Sequence, residues 1–427
     1  MASVSALLPA LCEKIRGLAE PGTDMELRRV SMACIFVALH NLGNARRTTK
    51  TRKSMSPVST SQFLHLVWTD ISEMVTKVQH RTSGKTFAMK TLDPLLHGVL
   101  DDDPAMVIYN LRVLRQACFM AACRGHPSIV RLHAVCKEPD TEEYRLLMEH
   151  LGPSLSDVLA CQRRHKPFPE HEVRHMMRQI LSGAKAMHEL GIVHRGIVSE
   201  NVLVAAGGDV FKIGGFGQAT CVSETDVPFE ILGRDDWAPE LLLQQRGAYE
   251  SELLHSWSIG RLMAELLTGW ALFQPIWHDE SKGAQLYSIF DVLGIPDKRA
   301  MQRMKPHDLE LAKKVREWRA RRPRVGKKQQ NNNYRLRKLV PPEVLSDDGF
   351  RVLRGLLTCN PRKRLTAADA LELPWFSNNN DDNPPAAAEV SQQVSGPVSR
   401  PWPFTWLLVS VLLLLCLVVF VWVGSRY

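Results

Sequence analysis

The sequence predicts an α+β protein of two lobes, a small one rich in strands and a larger helical one, followed by a C-terminal transmembrane helix. Three observations lead there. Short motifs stand in a fixed order between about Phe63 and Phe376, and the resemblance they carry, set out below, implies the lobes. An apolar stripe at helical spacing runs from Glu170 to Leu190, and an uncharged run extends from Phe404 to Val423. At 427 residues and 45% hydrophobic content, the chain is long enough for a large globular core and further segments.

Five stretches follow in order. Residues 1–60 hold two segments that read as helical, Ala6 to Leu18 and Glu26 to Leu42, separated by Pro21-Gly22 and followed by a basic stretch. No function is assigned to them. Residues 61–151 form the expected strand-rich lobe and hinge, and 152–376 the helical lobe, with a basic insert at 313–338. A linker rich in Pro, Asn, Asp and Ser occupies 377–403, ahead of the apolar span at 404–423.

The chemistry is concentrated in seven strings. In chain order they are Phe87-Ala88-Met89-Lys90, His126-Pro127-Ser128-Ile129-Val130-Arg131-Leu132 and Leu146-Leu147-Met148-Glu149-His150-Leu151. Then come Ile192-Val193-His194-Arg195-Gly196, with Asn201 five residues on, and Lys212-Ile213-Gly214-Gly215-Phe216-Gly217. Trp237-Ala238-Pro239-Glu240 and Asn360-Pro361-Arg362-Lys363-Arg364-Leu365 complete the series. Together they resemble the signature motifs of the protein kinase family. The segment Gln285 to Pro296 is similar to one typical of cyclin-dependent kinases, and the stretch after it lies where that group carries its insert. The chain is identified as a divergent cyclin-dependent-kinase-like (CMGC group) member. The resemblance implies a two-lobed kinase fold and ATP-dependent Ser/Thr phosphorylation with Mg²⁺.

Residue by residue, the resemblance places Lys90 at the nucleotide phosphates and Met148, Glu149 and Leu151 along the hinge that holds the base, with Met148 as gatekeeper. Asn201 is the retained metal ligand. Arg195 would grip an activation-loop phosphate, and Arg364 would pair with Glu240. Against these stand the losses. Gly196 occupies the place of the catalytic Asp, Gly215 that of the metal-binding Asp, and Val198 that of a phosphate-stabilising Lys. Gln116 aligns with the Glu that should pair with Lys90, and His255 with an Asp that ties the catalytic loop to the helix behind it. The expected phosphate loop, Trp68 to Glu73, contains no glycine, so its backbone N–H groups lose the close approach that glycine permits.

Phosphoryl transfer rests on positioning and charge neutralisation, and removal of a single stabilising group lowers a rate by roughly 100 to 1,000-fold. Several such losses together predict a catalytically impaired pseudokinase that acts by binding proteins. The alternatives are an ATP-dependent Ser/Thr kinase of low or non-standard activity, and a nucleotide-binding switch. ATP and Mg²⁺ are the cofactors the resemblance implies, and the missing carboxylates argue against both. Lys90 without its Glu reads equally as a snorkelling strand residue, His194 as a packed structural histidine, and the methionines between Glu170 and Leu190 as core. Ser223 and Thr225 read as loop residues or phosphosites. The nine cysteines are dispersed without CxxC spacing, which indicates a reducing compartment and no zinc site.

The span at 404–423 has about the length needed to cross a hydrocarbon core of roughly 30 Å, with Trp402, Trp406 and Trp422 near its ends. It predicts a tail-anchored, single-pass protein of an intracellular membrane with the kinase-like region facing the cytosol. From Lys313 to Lys338 the local charge is +11 against +9 for the whole chain. This basic segment reads either as a patch for anionic lipid or an acidic partner, or, as the sequence favours, as a solvated insert loop. Protein partners are expected without identity. Cyclin dependence is doubtful because Leu111-Arg112-Val113-Leu114-Arg115-Gln116 has no PSTAIRE-like string, and no nucleic acid is expected.

Overall fold

Val75–His80 (β3) and Thr86–Lys90 (β4) are rich in Val, Thr and aromatic residues that suit a pleated sheet. They pair antiparallel across a turn in which Gly84 takes φ +66°, a conformation open to glycine at no steric cost. The structure, a computed structural model, describes residues 58–59, 63–68, 75–91, 104–138, 143–222, 237–243, 252–273, 282–296, 299, 309–321 and 334–377. All fall within a compact unit spanning Met1–Asn379.

With Val58–Ser59 (β1), Phe63–Trp68 (β2), Leu132–Lys137 (β5) and Tyr144–Glu149 (β6), these strands build a six-stranded sheet in the order β1-β5-β6-β4-β3-β2. Period-two alternation sorts β4 between its faces. Met89 joins Val78, Cys136 and Leu147 in a small outer core, while Ala88 and Lys90 face the opposite side. The helix α1, Pro104–Ala122, packs on β5 and β6 and buries Val113, Leu114, Ala117 and Phe119.

The helical lobe begins with a short turn, α2 (Leu155–Asp157), which continues as a π turn over Val158–Gln162. Its centre is α3, Glu170–Glu189. The stripe expected there is all buried: Val173, Met176, Met177, Ile180, Leu181, Ala184 and Met187. Those methionines are therefore core. Glu170 and Glu172 sit in the first turn, where the helix dipole favours negative charge. Pro239–Leu243 (α4) and Glu252–Thr268 (α5) follow, and α5 crosses α3. Gly260 lies where α5 meets the later helix Asp347–Leu356 (α9), and a Cβ there would come within 2.9 Å of Leu356 Cβ. Between them run Lys282–Leu293 (α6), Leu309–Arg321 (α7) and Tyr334–Leu339 (α8), and Ala367–Leu371 (α10) with Pro374–Ser377 (α11) close the lobe.

The reading of 313–338 as a solvated loop is corrected in its described parts, which are helical. Leu311 and Val315 are buried one turn apart, and Trp318 meets Tyr287 of α6 edge-on at 5.2 Å. This i, i+4, i+7 face docks α7 and leaves Lys313, Lys314 and Arg316 exposed. The middle of the basic segment, 322–333, lies outside the described residues, as do 1–57, Ser223 and Thr225.

The transmembrane helix of the expected fold class is also corrected. Among the described residues, no helix is long and apolar enough to cross a membrane. With 20 residues α3 has the length, but Glu170, Glu172, Arg174, Arg178, Lys185 and Glu189 make one face charged, which a bilayer core would penalise heavily. Phe404 to Val423 lies outside the described residues. The fold class reduces to the two-lobed α+β arrangement, and the single-pass membrane location that rested on the span is withdrawn.

Candidate functional site

Between the sheet and the helical lobe lies a cavity of about 810 Å³. Lys90 reaches it from the end of β4 and is only 5% exposed, and Gln116, 4% exposed, reaches it from α1. The antiparallel pairing of β4 with β6 sets Ala88 opposite Met148 and Lys90 opposite Leu146, which carries Met148, Glu149 and Leu151 along the cavity's back edge. The Glu149 carboxylate is already occupied. It accepts both Lys212 Nζ contacts at 2.9 Å and the Arg131 N–H at 2.6 Å. Gly152 donates its N–H to Val204 O at 2.8 Å, and a Cβ there would lie 2.6 Å from that oxygen, so glycine is what lets the hinge meet Val202–Val204 (β8).

After Ile192–Val193 (β7) the chain turns sharply, with Arg195 at φ +64° and 5% exposed. His194 Nε2 donates to Gly214 O at 2.8 Å, which leaves Nδ1 as the acceptor for the Gly196 N–H at 3.3 Å. Burial pushes this imidazole down to about 4, so it is neutral at pH 7. His194 is thus a packed structural histidine.

His255 alters one expected loss. Its Nε2 accepts the backbone N–H of His194 and, at 3.2 Å, that of Arg195, while its Nδ1 is hydrogen-bonded to His188 Nε2. A ring whose Nε2 accepts two N–H groups must be neutral and carry its proton on Nδ1. Burial first, and His188 and His194 next, hold His255 well below the ordinary histidine range. The negative charge expected at this place is gone, but the hydrogen bonds that hold the loop to α5 remain.

At the metal end, Asn201 Nδ2 donates to Gly196 O at 2.9 Å and Asn201 O accepts from Gly214 N at 2.8 Å. Gly215 takes φ +73° at the start of the 3-10 turn Phe216–Gln218, and a Cβ on it would run into the Asn201 amide, 2.8 Å from Nδ2 and nearer still to Oδ1. Asn201 therefore fills the volume from which a side chain at 215 would start. Gly196 is different: a Cβ there meets nothing nearer than Asn201 Nδ2 at 3.3 Å. We expect Gly215→Ala to lower the unfolding free energy by about 1–3 kcal/mol, from left-handed strain plus displacement of Asn201. Gly196→Ala should change it by under about 1 kcal/mol. Urea denaturation of both variants checks the contrast, and equal effects would contradict it.

Of the residues singled out in the sequence, Lys90, Gln116, Met148, Glu149, Leu151, Asn201 and Gly215 line one cavity. Gly196 sits behind Asn201 and Val198 is half-buried, and neither is among the lining residues. Glu240 and Arg364 lie in the helical lobe as a bidentate pair at 2.6 and 2.8 Å, with Arg364 also bonded to Leu253 O and Thr358 O. Three charged lining residues were given no role in the sequence reading, namely Lys77, Asp157 and Glu200. Asp157 was detectable, because Ser154-Leu155-Ser156-Asp157 has the spacing of a capping box, and both reciprocal bonds are present. Glu200 accepts from Ser156 Oγ at 3.4 Å, and it helps raise the buried Glu265 carboxyl, whose main cause is burial itself.

The donor set does not fit a divalent cation. Mg²⁺ calls for carboxylate oxygens, and the place offers the neutral amide of Asn201 beside Gly215. Among the described residues, no cluster of three or more His, Cys, Asp or Glu could hold a metal.

Comparison with known proteins gives a consistent assignment. The family described as Protein kinase domain matches residues 72–376. The chain is 38% identical over 318 residues to "Putative cyclin-dependent kinase F-2" of Oryza sativa subsp. japonica, covering 73% of this chain and 87% of that protein. It is 33% identical over 273 residues to cyclin-dependent kinase G1 of Arabidopsis thaliana, covering 63% of this chain and 41% of that one. With cyclin-dependent kinase 11.1 of Caenorhabditis elegans the identity is 29% over 280 residues, 65% of this chain and 36% of the relative.

Proposed function

The chain belongs to the protein kinase family as a cyclin-dependent-kinase-like member, and from that premise we propose that it is impaired in phosphoryl transfer and acts by binding other proteins. The supporting observation is the position of Asn201, whose amide fills the space of a side chain at 215, where the family carries its metal-binding carboxylate. The catalytic position is Gly196, so no carboxylate stands where the family accepts the substrate hydroxyl proton. The retained parts serve the fold: His255 holds the loop, and Arg364 holds Glu240. The exposed Lys313, Lys314 and Arg316 of α7 suit an acidic protein surface.

A second reading is favoured by the relatives. All three are named cyclin-dependent kinases, which speaks for ATP-dependent Ser/Thr phosphorylation and for a cyclin as partner. Family membership implies ATP and Mg²⁺ in general. These names stand closer to an active kinase than to a membrane-anchored scaffold, and anchoring is part of neither reading.

Phosphotransfer separates the two. Purified full-length protein, incubated with labelled ATP and basic substrates in Mg²⁺ or Mn²⁺, should incorporate no more label than its Lys90→Met variant. Incorporation abolished by Lys90→Met establishes the second reading. Co-purification of a cyclin, lost on substitutions in α1, would add the partner that the relatives' names specify.

A further inference from the structure

Away from the cavity, the helical lobe presents an aromatic side chain that is both exposed and held in place. Trp270, just past the end of α5, is 55% exposed, the largest fraction for a large apolar side chain among the described residues. Its indole stacks on the His165 imidazole, with 4.0 Å between ring centres and 10° between planes. His165 belongs to the loop 163–169, which joins the π turn to α3. Its Nδ1 donates to Gly269 O at 3.1 Å, and the Phe168 N–H donates to Leu266 O at 2.8 Å, so the loop is bound to the end of α5 at two points. Gly269 takes φ +80°, and a Cβ on it would collide with His165 O, so glycine is what lets the two backbones meet. None of these residues lines the cavity.

The loop adopts a costly shape to reach this arrangement. Arg164 and His165 take φ +50° and +59°, successive left-handed positions that disfavour a side chain and suit glycine. Arg163 offsets part of that cost. Its Nε and Nη2 donate to Lys166 O at 3.2 Å and Pro167 O at 2.8 Å, its guanidinium lies 4.1 Å from the centre of the Phe168 ring, and Glu172 stands 3.8 Å away. One cation is thus committed inside the loop. Arg164 and Lys166, on either side of the residue stacked on Trp270, are exposed and make no ion pair among the described residues. A strained backbone that carries an arginine where glycine fits better points to a use for that side chain outside the fold.

We propose that Trp270, Arg164 and Lys166 form a docking site for an acidic segment of a partner protein, whose carboxylates meet the two cations while one of its apolar side chains covers the indole. The inference rests on the reading of the chain as one that acts by binding other proteins, and it names the surface and the chemistry of the partner. Tryptophan and arginine supply much of the binding energy at protein interfaces, and complementary charge sets register and partner choice. Two cations suit a short acidic stretch. A nucleic acid, whose affinity grows with each phosphate neutralised, calls for a longer basic track.

Fluorescence anisotropy of a short labelled peptide, a leucine between runs of glutamate, titrated with the full-length protein tests this. The peptide should bind, with affinity falling as salt is added, and its counterpart with lysine in place of glutamate should not. Trp270→Ala should weaken binding about tenfold and Lys166→Glu about fivefold. Arg164→Gly should also weaken binding about fivefold while raising the urea midpoint, since glycine relieves the left-handed strain, so a loss of fold cannot account for the loss of binding. Lys313→Glu combined with Lys314→Glu on α7 should change the affinity by less than about twofold. No binding of the peptide to the folded chain, binding unaltered by Arg164→Gly, or tighter binding of a single-stranded oligonucleotide through the same residues overturns the inference. Peptide binding lost only on the α7 substitutions removes this docking site and leaves the protein-binding reading standing. Label transfer abolished by Lys90→Met in the phosphotransfer assay removes that reading whether or not the peptide binds.

Discussion

Arg364→Leu should lower the unfolding free energy by about 3–5 kcal/mol, the range for removing one partner of a buried ion pair. Arg364 and Glu240 are 4% and 6% exposed, and their two parallel hydrogen bonds, at 2.6 and 2.8 Å, satisfy the carboxylate. The same guanidinium closes on Leu253 O and Thr358 O, so its loss also strands two carbonyl groups. Arg364→Lys keeps the charge but cannot reproduce the planar fork, and should fall between the variant and the natural protein. Glu240→Met combined with Arg364→Leu should recover part of the loss, because no uncompensated charge then remains buried. Urea midpoints of five proteins, Glu240→Met alone included, measure this. A double variant as unstable as the sum of the singles would show that packing, rather than a stranded charge, dominates.

Acidification should destabilise the protein well before its carboxylates protonate. Burial holds His188 and His194 down to about 4, and His255 lies well below its ordinary range as well. Above about pH 6.5 these imidazoles are neutral in both folded and unfolded chains and contribute no pH dependence. As pH falls below that value the unfolded chain binds protons that the folded one refuses, so stability declines until the folded groups titrate near pH 4. His188 and His194 contribute a loss of about 3 kcal/mol each over this window. His126, His133 and His150, also lowered by burial, act in the same direction. The reason for the steepness is geometric: His255 Nε2 faces two backbone N–H groups, and a proton there would set donor against donor. Unfolding free energies between pH 7.5 and 5 should fall with a slope of several protons, and His188→Gln should reduce that slope by about one. A flat profile would mean that the cluster takes up protons while folded.

The stripe of α3 was legible because helical periodicity is local, and its seven apolar residues fall at a spacing that only one buried face satisfies. The Glu240–Arg364 pairing was legible through the motifs, since ordered strings with a family resemblance carry long-range pairing that no local rule contains. Asp157 was missed although its capping box is a short-range signal, whereas Glu200 and Lys77 could be found only once two lobes met around a cavity. The loop reading of the basic insert failed at Val315 and Trp318, which with Leu311 just before it form a sparse apolar face that was enough to dock a helix.

By itself the sequence determined the family, the order of elements and the absence of carboxylates at 196 and 215, because identity at a position is a property of the chain. What those absences do was decided by tertiary structure. Asn201 fills the space at Gly215, and His255 takes over the hydrogen bonds of a missing carboxylate through a neutral ring. A sequence states which charge is lost, but which neighbour moves into the vacated volume, and which ring nitrogen must stay unprotonated, depends on atoms brought together from distant parts of the chain.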